Sequence, residues 1–395
     1  FWVFGGLLKD FSVFSMDFSG FFREFSARKD AEISKMTTFG VGGRAALAVY
    51  PESVARLAAV VAFAAKSDVP VLVLGGGSNV LVSDAGFSGI VIRAGGVLRG
   101  ILPCRGGFWA AAGTYLGEIF RFSRDNDLGG FEFLRSIPGA VGASVVGNAG
   151  CFGGEIAKRA KIVQALDLKK LAEFFGKPRF CGTDGFFGET DFSAVENTPS
   201  PRELRGNEAE NFLPENELAT EKNPTAPILP ESDIREAVRA SEIFFDGEAL
   251  APQYRRTALS GGRFLVTRVF FEGVGSFDAG FADYVARKRA ETQPRGCKTA
   301  GSVFLRDGDF SPAKAIDDLG LKGLRVGGAY VHPRHAGFIA NRSDASASDV
   351  LELIGILRRR VYEAFGRELR TEINYVGDGA FRLNQRGIFG SPVSE

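Results

Sequence analysis

A serine flanked by small residues is the first candidate for chemistry in this sequence. Ser302 lies in the stretch CKTAGSVFL, residues 297–305. Serine is a weak nucleophile until a base takes its proton, and that base is usually a histidine. The chain contains 2 histidines, His332 and His335, and both lie well downstream of the serine. The pattern therefore favours a role for Ser302 other than attack on a carbonyl carbon.

Glycine-rich turns are the second candidate, because they can bind phosphate. The turn LGGGSN (74–79) follows a predicted strand, and the backbone N–H groups of successive glycines can converge on one anion. It matches neither the Walker loop nor the GxGxxG dinucleotide fingerprint. The stretches TTFGVGGRA (37–45) and SIPGAVGASVVGNAG (136–150) allow a similar close approach. Together the three suit one long ligand with a pyrophosphate, although each alone could be an ordinary turn.

The elements that must position these residues alternate between helix and strand along most of the chain. Ser53 is a possible N-cap of the first predicted helix. Helices are predicted over 53–68, 114–126, 284–292 and 347–366. Strands are predicted over 69–74, within 80–96 as two strands around a turn, over 162–168, and as a strand pair running from 242–250 to 263–272.

The segment ELRTEINYVG, residues 368–377, alternates between apolar and polar positions. This period of two predicts a strand with Leu369, Thr371 and Ile373 on one side. Glu372 then falls on the polar face, where its carboxyl group is either solvated or lines a cleft.

Composition limits the class of protein. The 395 residues allow two or three domains, and the formal net charge of +1 gives no basic surface for nucleic acid. The 4 cysteines form no CxxC pair or zinc spacing, which indicates free thiols in a reducing compartment and no metal site. No stretch reaches transmembrane length, and the amino terminus lacks a signal-peptide pattern. A cytoplasmic protein without an integral membrane segment is therefore expected.

Seven stretches that occur in order along the chain closely resemble a known enzyme family. Together they resemble UDP-N-acetylenolpyruvoylglucosamine reductase (MurB), and the short distance between 263–272 and the fifth stretch is similar to the family's shorter type II form. The stretches are TTFGVGGRA (37–45), VLGGGSNVLVSDAGFSGIVI (73–92), FEFLRSIPGAVGASVVGNAGCFGGEI (131–156), YRR (254–256), QPRGCKTAGSVF (293–304), LGLKGLRVGGAYVHPRHAGFIAN (319–341) and LRTEINYVG (369–377).

The resemblance implies an α+β fold with a division of labour. An FAD-binding module of the vanillyl-alcohol oxidase/PCMH type, with two α/β subdomains, would comprise 37–168 and 240–274. A C-terminal α/β substrate-binding domain would comprise 275–380. The remainder would be an N-terminal extension (1–36), an acidic, proline-rich insertion predicted to be disordered (169–239) and a tail (381–395).

The resemblance also implies noncovalent FAD, with NADPH as co-substrate. The reaction would reduce UDP-N-acetylglucosamine enolpyruvate to UDP-N-acetylmuramate in peptidoglycan precursor synthesis, so the partner is a UDP-sugar and the protein is expected to be a monomer. The implied cofactor-binding residues are Gly42, Gly43, Arg44, Gly75, Gly76, Gly77, Ser78, Asn79, Ile137, Pro138, Gly139, Gly142, Ala143, Asn148 and Gly150.

Three catalytic residues follow from the matching motifs: Arg255 of YRR, Ser302 of AGSVF and Glu372 of RTEI. Hydride would pass from NADPH to flavin N5 and then to C3 of the substrate, and Ser302 would give a proton to C2 as a general acid. Arg255 would stabilise the enolate-like charge on the substrate carboxylate, assisted by a hydrogen bond from Glu372. No histidine is required to activate the serine for this role.

Three further residues are candidates for binding the substrate. Tyr254 could line the pocket or simply anchor its segment, and Arg289 could meet the UDP phosphates or lie on a solvated helix face. His335 is the better placed of the two histidines for touching substrate, although a structural role is favoured for both.

The sequence departs from the family pattern at a few positions. After GSVF the family usually continues with a lysine, where this chain has Leu305 and Arg306, so substrate contacts there do not carry over. Thr257 and Leu259 replace the serine and phenylalanine that the family favours after YRR. The hydroxyl retained at Thr257 would preserve the loop geometry.

Two other functions remain open at this stage. One is a different FAD oxidoreductase of the same superfamily. Histidyl attachment of the flavin is excluded in the first half because the first histidine is His332, whereas Cys151 leaves a formal possibility of cysteinyl attachment. The other is a nucleotide-binding homologue without catalytic activity, which would have no physical need to keep the arginine, serine and glutamate together.

Overall fold

The computed structural model describes residues 2–4, 25, 27–67, 69–96, 98–175, 230–377 and 380–382. The strands are β1 (Trp2–Phe4), β2 (Arg28–Glu32), β3 (Arg44–Val49), β4 (Val71–Leu74), β5 (Val80–Val82), β6 (Phe87–Arg93), β7 (Ile101–Cys104), β8 (Gly107–Ala111), β9 (Gly150–Cys151), β10 (Gly154–Glu155), β11 (Ala160–Asp167), β12 (Glu242–Asp246), β13 (Phe264–Glu272), β14 (Lys298–Ser302), β15 (Arg325–Val326), β16 (Ala329–Val331), β17 (Phe338–Asn341), β18 (Asn374–Gly377) and β19 (Ala380–Arg382). The helices are α1 (Val54–Lys66), α2 (Leu116–Asp125), α3 (Val141–Val146), α4 (Leu168–Phe175), α5 (Glu231–Ser241), α6 (Ala279–Thr292), α7 (Pro312–Asp318) and α8 (Ala347–Phe365).

The chain divides into two compact units that interleave along the sequence. Within the described residues, the first unit contains Leu47–Gly75, Gly89–Asp283 and the residues up to Arg28. The second contains Lys29–Ala46, Gly76–Ser88 and the residues from Tyr284 onward. This division differs from the predicted domains, because two segments of the predicted FAD module cluster with the C-terminal residues.

The first unit is built around a sheet with strand order β12-β11-β13-β8-β7, antiparallel throughout. Its core includes Phe108, Phe131 and Phe271, whose ring centroids lie 5.3 to 5.9 Å apart. Strand β11 lies between β12 and β13, so the predicted pairing of the last two strands is wrong. Because β11 is far in sequence from both β12 and β13, local patterns could not predict this strand order.

A second five-stranded sheet has the order β1-β4-β6-β3-β2. In it β4 and β6 run parallel, and Leu74 is paired with Arg93 at their carboxyl ends. Every residue of β4 is buried, as its apolar run predicts. Helix α1 begins after Ser53, whose side chain accepts a hydrogen bond from the N–H of Arg56 at 3.1 Å, which confirms the predicted cap.

The second unit contains a four-stranded sheet, β14-β17-β16-β15, and a smaller sheet, β19-β18-β5. Strand β5 runs parallel to β18 and not beside β6, so the two strands predicted around one turn belong to different sheets. Helix α8 begins with a capping box between Ser346 and Asp349 and ends at Gly366, whose φ of 62° is left-handed.

Both ends of the predicted insertion are helical, which corrects its boundaries. Helix α4 buries Leu168, Leu171 and Ala172, and α5 buries Ile234 and Ala237, all in the core of the first unit. The average composition of 169–239 concealed these short apolar stripes. Residues 176–229, together with the tail beyond 382, lie outside the described residues.

The predicted N-terminal extension also contributes to the fold. Strand β1 pairs antiparallel with β4, and β2 forms the opposite edge of the same sheet. Within the part of the chain that the structure describes, no helix is long and apolar enough to cross a membrane.

Asn341 is 4% exposed and uses its side chain as a junction between backbone segments of the second unit. Its amide donates to the carbonyl oxygens of Phe39 (3.1 Å) and Gly40 (3.2 Å). Its carbonyl oxygen accepts from the N–H groups of Ser343 (2.7 Å) and Ala345 (3.0 Å). Both sides of the amide are therefore satisfied within the protein.

We expect Asn341→Ala to lower the free energy of unfolding by about 2–4 kcal/mol, because buried backbone groups lose their partners. Urea unfolding followed by circular dichroism measures the change. Asn126→Ala is the matched control, since that exposed amide donates to the carbonyl of Phe122 (2.9 Å) and its loss should cost about 0.5 kcal/mol or less. Equal losses for the two variants would contradict the junction role.

Candidate active site

Ser302 ends strand β14 beside an irregularity in the sheet. The register of β14 against β17 shifts between Thr299 and Ser302, and Gly301 within this bulge has a φ of 85°. A Cβ built at Gly301 would meet no described atom within 4 Å, so the space there is open. The Ser302 hydroxyl lies 3.5 Å from the carbonyl oxygen of Phe304, a long distance for such a bond. Ser302 is half-buried, and the open space lies at the neighbouring Gly301.

Glu372 lies on the segment next to Ser302. Its N–H donates to the carbonyl oxygen of Val303 at 2.7 Å, and Thr371 before it forms an isolated bridge with Phe304. The predicted strand begins only at Asn374, so Glu372 precedes the strand and does not lie on its polar face. Residues 370–372 pair with residues 303–305 instead, which explains why the strand begins later than predicted. The structure thus brings the backbone segments of Ser302 and Glu372 together, and the catalytic roles of the two side chains stay predictions.

Asn79, at the end of the glycine-rich turn, is tied to the same place. Its side-chain amide donates to the carbonyl oxygen of Glu372 at 3.2 Å. Its own carbonyl oxygen accepts from the backbone N–H (3.2 Å) and side-chain amide (3.1 Å) of Asn374. One side-chain amide proton of Asn79 therefore holds the backbone of Glu372.

The remaining turn residues of this unit pack against protein backbone. Gly77 has a φ of 65°, and a Cβ there would lie 2.2 Å from the carbonyl oxygen of Met36. A Cβ at Gly43 would lie 2.2 Å from the carbonyl oxygen of Asp84. Arg44 forms ion pairs with Asp30 (2.7 Å) and Glu32 (3.4 Å). Protein packing thus accounts for these glycines, and a flavin contact at Gly42, Gly43, Arg44, Gly76, Gly77 and Ser78 stays a prediction.

In the first unit, glycines let helix α3 approach the sheets closely. A Cβ at Gly75 would lie 2.8 Å from that of Ala143, and one at Gly142 would lie 2.9 Å from that of Ala112. A Cβ at Gly150 would lie 2.2 Å from the carbonyl oxygen of Gly154. The other predicted flavin residues of this region lie just before helix α3 and are Ile137, Pro138 and Gly139.

Arg93 lies next to Gly75 and was missed by the sequence analysis. Its Nη1 is buried and has no hydrogen-bond partner among the described residues. Burial lowers the pKa of the guanidinium, although contact with the Tyr115 hydroxyl offsets part of this effect. A half-buried guanidinium with one buried, unused donor beside a glycine turn fits an anionic cofactor such as FAD. Arg93 is the last residue of β6, in a region where the sequence predicts strands.

Arg255 belongs to the first unit, on a tight turn closed by two backbone hydrogen bonds between Gln253 and Arg256. Its φ is 59°, a conformation that side chains seldom adopt. The guanidinium lies 5.1 Å from the ring centroid of Tyr254, which is 56% exposed. The turn therefore presents an arginine and a tyrosine together at its tip.

The side chain of Asn148 fixes this turn by a hydrogen bond to its backbone. Its amide donates to the carbonyl oxygen of Gln253 (2.8 Å) and to Oε2 of Glu155 (2.9 Å). That hydrogen bond is the main cause of the lowered pKa of Glu155, to which Arg255 also contributes. Both amide protons of Asn148 are thus used within the protein, and a contact between Asn148 and FAD stays a prediction.

Thr257 anchors the other side of the turn. Its hydroxyl donates to the carbonyl oxygen of Val146 at 3.1 Å, and Ser260 donates to the same oxygen at 2.8 Å. The hydroxyl retained at this position has the structural use that the sequence analysis expected.

The two histidines have local structural partners. Nδ1 of His335 accepts from the N–H of Gly337 at 3.1 Å, and Nδ1 of His332 accepts from that of Arg334 at 3.1 Å. Burial lowers the pKa of His335, so its ring is uncharged at neutral pH. Arg289 lies half-buried in the last turn of α6. Substrate contacts by these residues remain predictions.

The described histidine, cysteine and acidic side chains form no group of three or more that could hold a metal ion. Cys104, Cys151 and Cys297 are free thiols, whereas Cys181 lies outside the described residues. The thiol of Cys151 donates to the carbonyl oxygen of Phe133 at 3.2 Å. This internal use argues against a flavin attached through Cys151.

Two family models match this chain. Residues 45–169 match an FAD-binding domain, and residues 293–376 match the C-terminal domain of UDP-N-acetylenolpyruvoylglucosamine reductase. These matches confirm the predicted fold class, in which an FAD-binding module is followed by a separate C-terminal domain. They also establish FAD as the cofactor.

Proteins of the same name are similar over most of their length. The UDP-N-acetylenolpyruvoylglucosamine reductase of Syntrophomonas wolfei subsp. wolfei is 32% identical over 87% of this chain and 92% of its own. That of Clostridium novyi is 30% identical over 87% and 89%. The crystal structure of the MurB protein from Thermus caldophilus has a TM-score of 0.60 at 26% identity, covering 89% of this chain and 99% of its own.

The level of identity, the coverage of both chains and the two domain matches all indicate the same family. The Ser302 and Glu372 segments lie within the matched C-terminal domain, and the Gly75 turn lies within the matched FAD-binding domain. The chain belongs to the UDP-N-acetylenolpyruvoylglucosamine reductase (MurB) family of FAD-dependent enzymes.

Proposed function

We propose that this chain catalyses the NADPH-dependent reduction of UDP-N-acetylglucosamine enolpyruvate to UDP-N-acetylmuramate, with Ser302 as the proton donor. The observation that carries this proposal is the hydrogen-bonded pairing of the Ser302 and Glu372 segments beside open space at Gly301. Bound noncovalently, FAD would take hydride from NADPH and supply it from N5 to C3 of the enolpyruvyl group. Side chains of the protein would then stabilise the negative charge on the substrate carboxylate and donate the proton to C2.

Ser302 would complete the reduction by giving its hydroxyl proton to C2. Carbon next to a carboxylate becomes strongly basic once C3 has received hydride, so a hydroxyl is acidic enough to protonate it. The weak internal contact of the hydroxyl, 3.5 Å from the carbonyl oxygen of Phe304, costs little to give up. The proton lost by Ser302 is replaced from water in a later step.

Arg255 would stabilise the negative charge that collects on the substrate carboxylate. A guanidinium can form two parallel hydrogen bonds with a carboxylate, which an ammonium group cannot do. The anchored turn fixes the backbone from which this side chain extends, so less entropy is lost when it binds. Tyr254 on the same turn would supply an aromatic face to the substrate.

Glu372 would donate a hydrogen bond from its protonated carboxyl group to the same carboxylate or to a bound water. Its backbone is held on both sides, by the N–H bond to Val303 and the carbonyl bond from Asn79. This restraint leaves only the side-chain torsions free. Arg289 and His335 are proposed as substrate contacts on sequence grounds, with His335 acting as a neutral hydrogen-bonding group.

The location and assembly state that accompany this function rest on the sequence. We propose a cytoplasmic monomer that takes a UDP-sugar as its small-molecule partner. Sedimentation of the purified chain at micromolar concentration measures the assembly state directly.

We expect Ser302→Ala to stall the second half-reaction while the first proceeds normally. Removal of a positioned proton donor typically slows a reaction by roughly 10²–10⁴-fold. Anaerobic stopped-flow absorbance follows bleaching of the flavin by NADPH and the return of colour when the sugar nucleotide is added. Bleaching serves as the internal control, and a normal rate of colour return would refute the proton-donor role.

Arg255→Lys keeps the positive charge and an unbranched side chain at this left-handed position but loses the planar fork. We expect reoxidation by the substrate to slow by about tenfold or more, since bidentate contact with the carboxylate is lost. Arg256→Lys, on the same exposed turn, is the matched control. Equal effects at the two positions would show that the charge of the turn matters and the geometry of Arg255 does not.

Glu372→Gln retains a hydrogen-bond donor, whereas Glu372→Ala removes it. We therefore expect the glutamine variant to keep the second half-reaction within about tenfold of the native rate, and the alanine variant to lose roughly 10²–10³-fold. The same stopped-flow assay reports both rates. A glutamine variant as slow as the alanine variant would indicate that the ionised carboxylate is the required form.

A further inference from the structure

The Gly75 turn and Arg93 meet at the carboxyl ends of two parallel strands. Strand β4 ends at Leu74, β6 ends at Arg93, and these two residues are paired in the sheet. A Cβ at Gly95 would lie 2.3 Å from the carbonyl oxygen of Gly75 and 2.9 Å from Nη1 of Arg93. Ligands in open sheets of this kind bind beyond the carboxyl ends of the strands.

The guanidinium of Arg93 has neighbours but no counter-charge. The hydroxyl of Tyr115 interacts with it, and Tyr50 lies close enough to affect its pKa. Its electrostatic neighbours among the described residues are Tyr115 and Tyr50 and include no carboxylate, and its buried Nη1 has no described hydrogen-bond partner. A cation held in this way destabilises the protein unless an anion compensates it.

We propose that Arg93 is a binding residue for the diphosphate of FAD, holding positive charge beside the Gly75 turn. This inference rests on the FAD cofactor of the proposed function and adds a residue that the glycine motifs do not include. The glycines bring backbone N–H groups close to the diphosphate, whereas Arg93 supplies the formal charge that these groups lack. In oxidised FAD the diphosphate carries the negative charge, since the oxidised flavin ring is neutral.

The alternative is that Arg93 is structural and serves mainly to hold Tyr115. The two roles predict opposite effects of Arg93→Met on the unliganded full-length chain. Replacement of an uncompensated, partly buried cation by an apolar side chain of similar length leaves stability unchanged or raises it. Loss of a structural contact would instead lower the melting temperature.

The test compares native chain, Arg93→Met and Arg121→Met after removal of flavin. Arg121 is an exposed arginine of the same unit, and its Nε donates to the carbonyl oxygen of Gly117 at 3.3 Å. Titration with FAD and with riboflavin, which has no phosphate, is followed by flavin fluorescence. We expect Arg93→Met to weaken FAD binding about 10- to 100-fold while riboflavin binding and the melting temperature without flavin do not fall.

Three results would overturn the proposal. They are unchanged FAD affinity in Arg93→Met, an equal loss for FAD and riboflavin, and a lowered melting temperature of the flavin-free variant that accounts for the loss. Arg121→Met should match the native chain in every measurement. Turnover of the sugar nucleotide is not measured, so a failed test of Ser302 as proton donor would leave this result unaffected.

Discussion

The hydrogen bond from the N–H of Glu372 to the carbonyl oxygen of Val303 is the contact on which the candidate active site most depends. It is 2.7 Å long and joins the segment after Ser302 to the segment that leads into β18. Strand β18 in turn pairs with β5, which follows the glycine-rich turn. These backbone contacts thus connect the segments of Ser302 and Glu372 with the strand that follows the glycine-rich turn, although the three are far apart in sequence.

Asn79 shows why this arrangement is rigid. Its side chain binds the carbonyl oxygen of Glu372, and its backbone carbonyl accepts two hydrogen bonds from Asn374. The backbone of Glu372 is then fixed from both directions. A catalytic group held by its main chain loses little entropy when it binds substrate, which is the benefit of preorganisation.

The sequence predicted local features well wherever short-range physics decides them. The cap at Ser53, helix α8 and its glycine stop, and the buried strand β4 all follow from periodicity and side-chain chemistry. It failed where distant partners decide the outcome. Strands β5 and β6 look like a hairpin in sequence, yet each has a different partner and the two lie in different sheets. Likewise, nothing local reveals that β11 separates β12 from β13.

The candidate site divides in the same way. The ordered motifs gave Ser302, Glu372 and Arg255, but they could not separate residues that contact a ligand from residues that hold other residues in place. Asn148 is a predicted flavin residue, and in the structure both of its amide protons hold the Arg255 turn and Glu155. Arg93, by contrast, was not predicted to contact the flavin, because a single arginine at a strand end matches no motif. Only its buried Nη1, which has no described hydrogen-bond partner, distinguishes it. Glycine motifs therefore identify where backbone can approach a ligand, and the charge that a diphosphate needs has to be found from the energetics of the side chains around them.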